Sequence, residues 1–595
     1  MISFKDLRRK DHTVLALGSH VPILQAMLDF EYLCGLSKPT LVGIVQSASM
    51  KKSQKFFWGA VEIRVPIFAS IAQAKAQLPK VTLFINLSSG RRVLESTLEF
   101  FLHYPHALGG HIFAEEVPEK HALELFEAFG KDKVIAGPSG VGLLLPEFLK
   151  LGAIGGTDIN QLLKNNLATS GKVGIISASG GMANELINIL ARNGKRISVA
   201  FTIGGDRFPV NTLLDTLLRM QADKQTEYLV YYGELGGSDE YELVELIKQK
   251  KFKKPVYAFI AGKIGETFEK PTQFGHAKAI ANTLDESASS KIAALKEAGV
   301  KIADSFAGFI KLLQEIPTSE LKTTNSQLAD NLKHRRSTLF TTSIGKEVNN
   351  DYFLLGDPLT EWIENKGLGE MIISSLLGRK VKSAITAQFA EIVLKSFMDH
   401  GPQVSGGVNT MVAARAGKDI VSSVASGILT IGSRFGGATN DAARIWFTGV
   451  QSGLTALELV SNFSKEKKLI LGIGHLKYRV GMPDPRVKFL TDYASKHLKN
   501  TTHLDFALAV EKLTSSKKGN LILNVDGAVA AIMLDLLSTI EGYSVEDLNE
   551  LIEAEFFNAL FLVARTIGFS AHYLDQKRND EGLFRLPNDL ILSDN

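Results

Sequence analysis

The stretch KVGIISASGGMANEL, residues 172–186, decides the fold of the first half of the chain. A short β-branched run (172–176) meets a Ser-Ala-Ser-Gly-Gly turn and then a segment of helical period, so a strand feeds straight into a helix. Upstream the same alternation recurs at VLAL near 14, TLVGIV near 40, VTLFI near 81, HIFA near 111 and VIAG near 134. Downstream it continues with ISVAF near 197, YLVYY near 228 and VYAFI near 256. Alternation of this kind indicates βαβ units around mainly parallel sheets. Two successive α/β domains are expected, joined near residue 165.

In such folds a ligand lies beyond the carboxyl ends of the strands, where glycines let backbone amides approach an anion at a helix N-terminus. Four strand ends have that character. NLSSGRR (86–92) offers Ser89 and two guanidiniums for a phosphate, although its spacing also fits a solvated turn. In SASGGMANEL (177–186) the amides around Gly180 and Gly181 point at a carboxylate or phosphate, or simply close a strand-to-helix turn. GELGGSDEY (233–241) puts Glu234 at a strand end, where an acid can orient a histidine or merely be solvated. FGHAKA (274–279) sets His276 among small residues that leave its imidazole accessible. A histidine whose tautomer is fixed by a neighbouring acid can carry a covalent intermediate, and Glu234 is the candidate acid.

The chain has 595 residues, 45% hydrophobic and 22% charged, which excludes both a lone small module and a disordered polymer. Its net charge of +4 is too small for bulk attraction to nucleic acid. The single cysteine, Cys34, excludes an intramolecular disulfide and any cysteine-based zinc site, and no residue is assigned to a metal. The opening MISFKDLRRKDH places charges where a signal peptide needs an apolar stretch, and no run of ~18 apolar residues follows. A soluble cytoplasmic protein without membrane or nucleic-acid partners is expected.

From about 317 to 350 the composition turns polar and reads as a linker that holds one helix at most. Beyond it helical periods dominate, as in AQFAEIVLKSFMDH and VEDLNELIEAEFFNALFLVARTIG, so a mostly α-helical domain is expected over 351–595. Its informative segments are MDHGPQVSGGVNT (398–410), GIGHLKYRVGMPDPRV (472–487), NLILNVDG (520–527) and LVARTIGFSAHYLDQKR (562–578). Two histidines, an aspartate and several arginines suit making or breaking a carbon–carbon bond beside a thioester. An acid moves the proton on carbon, histidines serve the oxygen, and arginines hold carboxylates bidentately.

The four segments of the first half, together with QAMLDFEYLC, QKFFWGAVEI, AEEVPE, GPSGVG and IGGDRFP, resemble the succinyl-CoA synthetase α-subunit superfamily. They are most similar to the corresponding part of the ATP-citrate lyase family. The second half, including ARAGKDIVSS, SGILTIGSRFGGA and HYLDQKR, resembles the citrate synthase fold in its citryl-CoA lyase form. The resemblance implies a Rossmann-like CoA-binding domain over 1–165 and a flavodoxin-like CoA-ligase domain over 166–316. A linker (317–350) and a citrate synthase-like lyase domain (351–595) would follow.

It further implies His276 as phosphoryl carrier with Glu234 and Glu115 as its partners, Gly180 and Gly181 in citrate binding, and Ser89 and Arg91 against CoA. In the second half it implies His400, His475 and Asp526 as catalytic, Arg486 and Arg565 on citrate carboxylates, and Lys517 and Lys518 toward CoA. Beyond CoA itself, ATP and Mg would come through an ATP-grasp partner subunit, and a homo-oligomer, tetrameric through the C-terminal domain, is implied. The reading is thus one subunit of a two-polypeptide enzyme that turns citrate, CoA and ATP into acetyl-CoA, oxaloacetate, ADP and phosphate. Its rivals are an ATP-independent citryl-CoA lyase with a degenerate first half and a non-catalytic scaffold subunit.

Several positions depart from the family patterns. Ala178 stands for an arginine, Lys278 and Glu116 for glycines, and Leu476 for the arginine after the GIGH histidine. Phe435 in SRFGGA, where synthases usually carry a histidine, follows the lyase pattern.

Overall fold

The computed structural model describes residues 2–47, 52–319, 326–432 and 438–593. The turn containing Phe435 therefore lies outside the described residues. The chain divides into two compact units, Met1–Leu339 and Phe340–Asn595, a division that falls within the polar 317–350 stretch.

The first unit is built on two seven-stranded sheets. The first contains β1 (Val14–Leu17), β2 (Leu41–Val45), β3 (Ser53–Trp58), β4 (Val61–Phe68), β5 (Leu83–Asn86), β6 (Gly109–Ile112) and β7 (Val134–Ala136), in the order β3-β4-β2-β1-β5-β6-β7. All its pairings are parallel except that of the hairpin β3–β4. The order reverses between β1 and β5, which opens a crevice beyond their carboxyl ends.

The second sheet holds β8 (Gly142–Leu145), β9 (Leu149–Gly152), β10 (Val173–Ser177), β11 (Ile197–Thr202), β12 (Tyr228–Glu234), β13 (Val256–Ala261) and β14 (Lys301–Ile302), in the order β14-β13-β12-β10-β11-β8-β9. The hairpin β8–β9 adds antiparallel to β11, so the junction between the sheets falls between Ala136 and Gly142 and not near residue 165. The sequence hides this because GLLLPEFLKLG is leucine-rich around a proline and lacks the β-branched signature. Every β-branched run singled out in the sequence is a strand, and each central strand is almost continuously buried, as expected where helices cover both faces.

The second unit is mainly helical. Its centre is the helix Val525–Thr539, buried along nearly its whole length, against which Ala438–Gln451, Thr502–Lys517 and Phe556–Asn579 help build one apolar core. The 317–350 stretch carries the one helix its reading allowed and, beyond that reading, a strand. It contains the helix Ser326–Lys333 in the first unit and β15 (Gly345–Val348), which pairs with β16 (Asp351–Leu354) and β17 (Asp357–Pro358) in a small antiparallel sheet of the second. β15 is exposed and mostly polar, and β16, Asp-Tyr-Phe-Leu, is too short for hydrophobic alternation to announce it. No helix among the described residues is long and apolar enough to cross a membrane.

Candidate functional site

In the first unit the strand ends converge as the βαβ reading requires. β12 delivers Glu234 at its carboxyl end, and the loop between β13 and β14 brings His276 to it, Nδ1 lying 3.0 Å from Glu234 Oε2. A carboxylate only accepts, so Nδ1–H is the donor and Nε2 is left with its lone pair as the nucleophilic atom. The hydrogen bond donated to Glu234 raises the imidazole's pKa above its ordinary value. Partial burial opposes the shift, and the negative charges of Glu234, Glu115 and Asp206 support it. The ring packs flat on Gly205, where a Cβ would come 2.3 Å from its Cγ.

His276 and Glu115 line a cavity of about 440 Å³ together with Glu116, Asp206 and Arg207. Asp206 was not singled out in the sequence. Burial raises its carboxyl above the usual range, and its Oδ2 has no hydrogen-bond partner.

Gly180 and Gly181 open the helix Gly180–Arg192 directly after β10, with Ser179 as N-cap accepting from the Met182 amide at 3.5 Å. A Cβ on Gly181 would meet nothing within 4 Å, so the helix N-terminus is open there. Neither glycine lines the His276 cavity. The departures Ala178 and Lys278 meet in space: with Glu234, Asp239 and Glu240 they border a residual space of only about 20 Å³. Lys278 is ion-paired to Asp239.

Ser89 borders a separate cleft of about 740 Å³ at the β1/β5 reversal, along with Gly18, Gln46 and Ser70. The guanidinium lining it belongs to Arg92; Arg91 points elsewhere. The turn sits tightly on the other site's wall, since a Cβ on Gly90 would lie 2.8 Å from the carbonyl oxygens of Glu115 and Glu116.

In the second unit His400, Arg486, Asp526, Arg565 and Lys517 line one cavity of about 780 Å³. Lys518 does not border it, whereas Lys468, unmarked in the sequence, does. Asp526 enters from the first turn of Val525–Thr539, and Thr439 Oγ1 donates to its Oδ1 at 2.7 Å. Burial raises the Asp526 carboxyl despite that bond and the positive charges of Arg486 and Arg565.

The segment carrying His475 is latched to the approach of the same helix. Gly474 N–H donates to Ile522 at 2.7 Å, His475 N–H to Asn520 at 3.0 Å, and Asn524 N–H to Gly472 at 3.0 Å. Nδ1 of His475 accepts from the amides of Lys477 (3.0 Å) and Tyr478 (3.1 Å), so the ring proton sits on Nε2. Burial lowers the pKa of His475, and it lowers that of His400 with help from the charges of Arg486 and Arg565. Both rings are therefore neutral at pH 7.

Arg486 is aimed by the buried Asp484, which accepts Nε at 3.1 Å and Nη2 at 2.7 Å, while its Nη1 reaches His400 Nδ1 at 3.5 Å. Arg565 is 2% exposed and lies over the Phe561 ring at 4.8 Å. Asp399 is braced by His572 Nε2 at 3.1 Å. Among the described residues, no group of three or more His, Cys, Asp or Glu side chains is placed to hold a metal ion.

The pieces present are a nucleophilic histidine in one unit and, in the other, neutral histidines with a raised carboxyl and two fixed guanidiniums. Comparison with known proteins covers both units of the chain. The family model described as citrate synthase, C-terminal domain, matches residues 221–586. Over 98% of this chain it is 38% identical to "ATP-citrate synthase" of Homo sapiens, covering 54% of that protein. The chain spans about half the length of the animal relatives it matches. It is 37% identical to "Probable ATP-citrate synthase subunit 1" of Schizosaccharomyces pombe over 99% of this chain and 98% of that one. A solved structure of ATP citrate lyase from Methanothrix soehngenii in complex with citrate and coenzyme A matches with TM-score 0.52 and 34% identity, over 98% of this chain and 97% of that one. By identity at this level along nearly its whole length, the chain belongs to the ATP-citrate synthase family, also called ATP-citrate lyase.

Proposed function

We propose that the chain is the subunit of a two-polypeptide ATP-citrate lyase that carries both the phosphohistidine and the citryl-CoA lyase centre. The observation that supports it best is the joint presence, in one chain, of the Glu234-oriented His276 and of the cavity lined by His400, Arg486, Asp526 and Arg565. The near-complete alignment with a relative called subunit 1 supports a second polypeptide. In this reading the first sheet is a Rossmann-like CoA-binding domain and the second a flavodoxin-like ligase domain. The partner is of the ATP-grasp type and works with Mg-ATP, the location is cytoplasmic, and assembly is tetrameric through the second unit.

Nε2 of His276 attacks the transferred phosphoryl group and the bond to ADP breaks, while Glu234 holds the Nδ1 proton and stabilises the positive ring. A citrate carboxylate takes the phosphoryl group, with the open amides at Gly180 and Gly181 on its carboxylates. The CoA thiol, its nucleotide seated by Ser89 and Arg92, then displaces phosphate to give citryl-CoA.

In the second unit Arg486 and Arg565 hold the substrate carboxylates. His400, whose Nδ1 meets Arg486 only at 3.5 Å, takes the hydroxyl proton as the carbon–carbon bond breaks and the ketone of oxaloacetate forms. His475, its Nδ1 engaged by two amides, donates from Nε2 to the thioester oxygen, and Asp526 delivers its proton to the enolate carbon, giving acetyl-CoA.

The test mixes the chain with a candidate partner, citrate, CoA and labelled ATP. Acid-labile, base-stable label on His276 and release of oxaloacetate are expected, and no label with an authenticated partner rules out the ligase half. A lyase-only reading draws on Lys278, which fills the space beside Glu234. It is distinguished by supplying citryl-CoA without ATP: cleavage at full rate by the chain alone, unaffected by His276→Ala, together with no ATP-dependent conversion of citrate in the presence of the partner, would select it.

A further inference from the structure

Beneath the His276–Glu234 pair lies a charged group that the mechanism above does not use. Lys291, on the helix Ala288–Glu297, is 0% exposed. Its ammonium donates to the backbone carbonyls of Glu234 at 2.9 Å and Gly236 at 2.6 Å. Its third partner is the carboxylate of Glu240 at 2.7 Å, which in turn accepts the Tyr231 hydroxyl at 2.8 Å. All three ammonium protons are thereby engaged, and the desolvation cost of burying the charge is offset at each one.

The surrounding backbone is shaped to admit this arrangement. A Cβ on Gly233 would lie 2.6 Å from Glu240 Oε1, and Gly236 has φ +89, a left-handed conformation that glycine adopts without strain. Two carbonyls that bracket Leu235 are thus tied to one point, and the carboxylate that meets His276 is borne by the first of those residues. A strand end is where backbone hydrogen bonding stops and the chain is freest to turn, so an internal cation that holds the carbonyls on either side of Leu235 sets the direction of the Glu234 side chain there.

We propose that Lys291 is a positioning residue for the phosphoryl-carrying histidine: by clamping the carbonyls of Glu234 and Gly236 it aims the Glu234 carboxylate at Nδ1 of His276 and leaves Nε2 toward the cavity. The role in phosphoryl transfer rests on the function proposed above, but the aim of the carboxylate does not. It is read from His276 alone, without partner or nucleotide.

The experiment follows carbethoxylation of His276 against pH by peptide mass spectrometry in the full-length chain. Removing one member of a buried ion pair strands the other charge, so the main variant is Lys291→Met with Glu240→Gln, in which both charges leave together and Gln still accepts from Tyr231. Glu240→Gln alone keeps the clamp and is the control. In the wild type and in the control His276 titrates above its ordinary value. In the double variant the midpoint falls by about one unit, a tenfold gain in reactive imidazole on the acid limb, and matches Glu234→Gln.

An unchanged profile in the folded double variant overturns the proposal, as does an equal fall in the control, which would assign the effect to the ion pair. If the double variant loses its cooperative melt, Lys291→Arg decides with the same readout, because a guanidinium keeps the charge but displaces the donor from the carbonyls. An unchanged profile there overturns the proposal and a lowered midpoint supports it. Failure of the ATP-labelling experiment leaves these outcomes untouched, so the two readings fail separately.

Discussion

A carboxyl that must hand a proton to carbon is helped by burial and hindered by hydrogen bonds to its anion, and Asp526 experiences both. The cavity raises it, and the Thr439 hydroxyl fixes one of its oxygens at 2.7 Å. Thr439→Val keeps the side-chain shape and releases that oxygen, so the acid remains available but poorly aimed. Steady-state kinetics with citryl-CoA should give a kcat about 10- to 100-fold lower with KM nearly unchanged. Asp526→Asn removes the proton itself and should cost roughly 10² to 10⁴ in kcat. The histidines carry the opposite prediction for pH. Burial and the neighbouring guanidiniums depress His400 and His475 below the ordinary value of 6.5, so the neutral forms persist as pH falls through 6.5. The acid limb of kcat/KM for citryl-CoA cleavage should inflect below 6.5; an inflection at or above that value would contradict the proton assignments.

At the scale of elements, the cavity of the second unit depends on how closely the 472–475 segment can lie on the helix Val525–Thr539. Gly472 has φ +93, and a Cβ on Gly527 would come 2.4 Å from the Gly472 carbonyl oxygen. Gly527→Ala should therefore push the His475 segment away from Asp526. It should cost about 1–3 kcal/mol, read as a lower melting temperature of the second unit, and reduce cleavage more than stability alone would. Glycines at this contact were visible in GIGH and NVDG, but the contact was not, because nothing local says which distant segment a glycine faces. The same limit separates what was legible from what was not. Strands such as KVGII and YLVYY announced themselves through β-branching, and the histidines and Asp526 through their motifs. The hairpin β8–β9 and the exposed β15–β17 sheet carried no such signal, whereas β4, VEIRVPIF, has a β-branched residue at every second position and was legible. Arg92 rather than Arg91, and Lys517 with Lys468 rather than with Lys518, border their cavities because of helix phase and tertiary packing. Asp484, Thr439 and Lys291 act by holding other residues in place, and a sequence motif gives no sign of such a partner.

For the molecule as a whole, each compact unit has its own apolar core, and the division at Leu339/Phe340 lies in a polar stretch between them. All residues of the proposed lyase centre fall between 400 and 565, inside the second unit, and all of those around His276 fall inside the first. Covalent continuity is then unnecessary for either chemical centre, but it is the means by which citryl-CoA formed by one would be supplied to the other at high effective concentration. A protease site placed at 339–340 tests this. After cleavage, scanning calorimetry should still detect cooperative melting of both units, and citryl-CoA added without ATP should be cleaved at the uncut rate. His276 should still take label from the partner, whereas the overall conversion of citrate should slow and released citryl-CoA should become detectable. Loss of citryl-CoA cleavage on nicking would mean that the second unit needs the first for its chemistry, since every group assigned to that reaction would still be present.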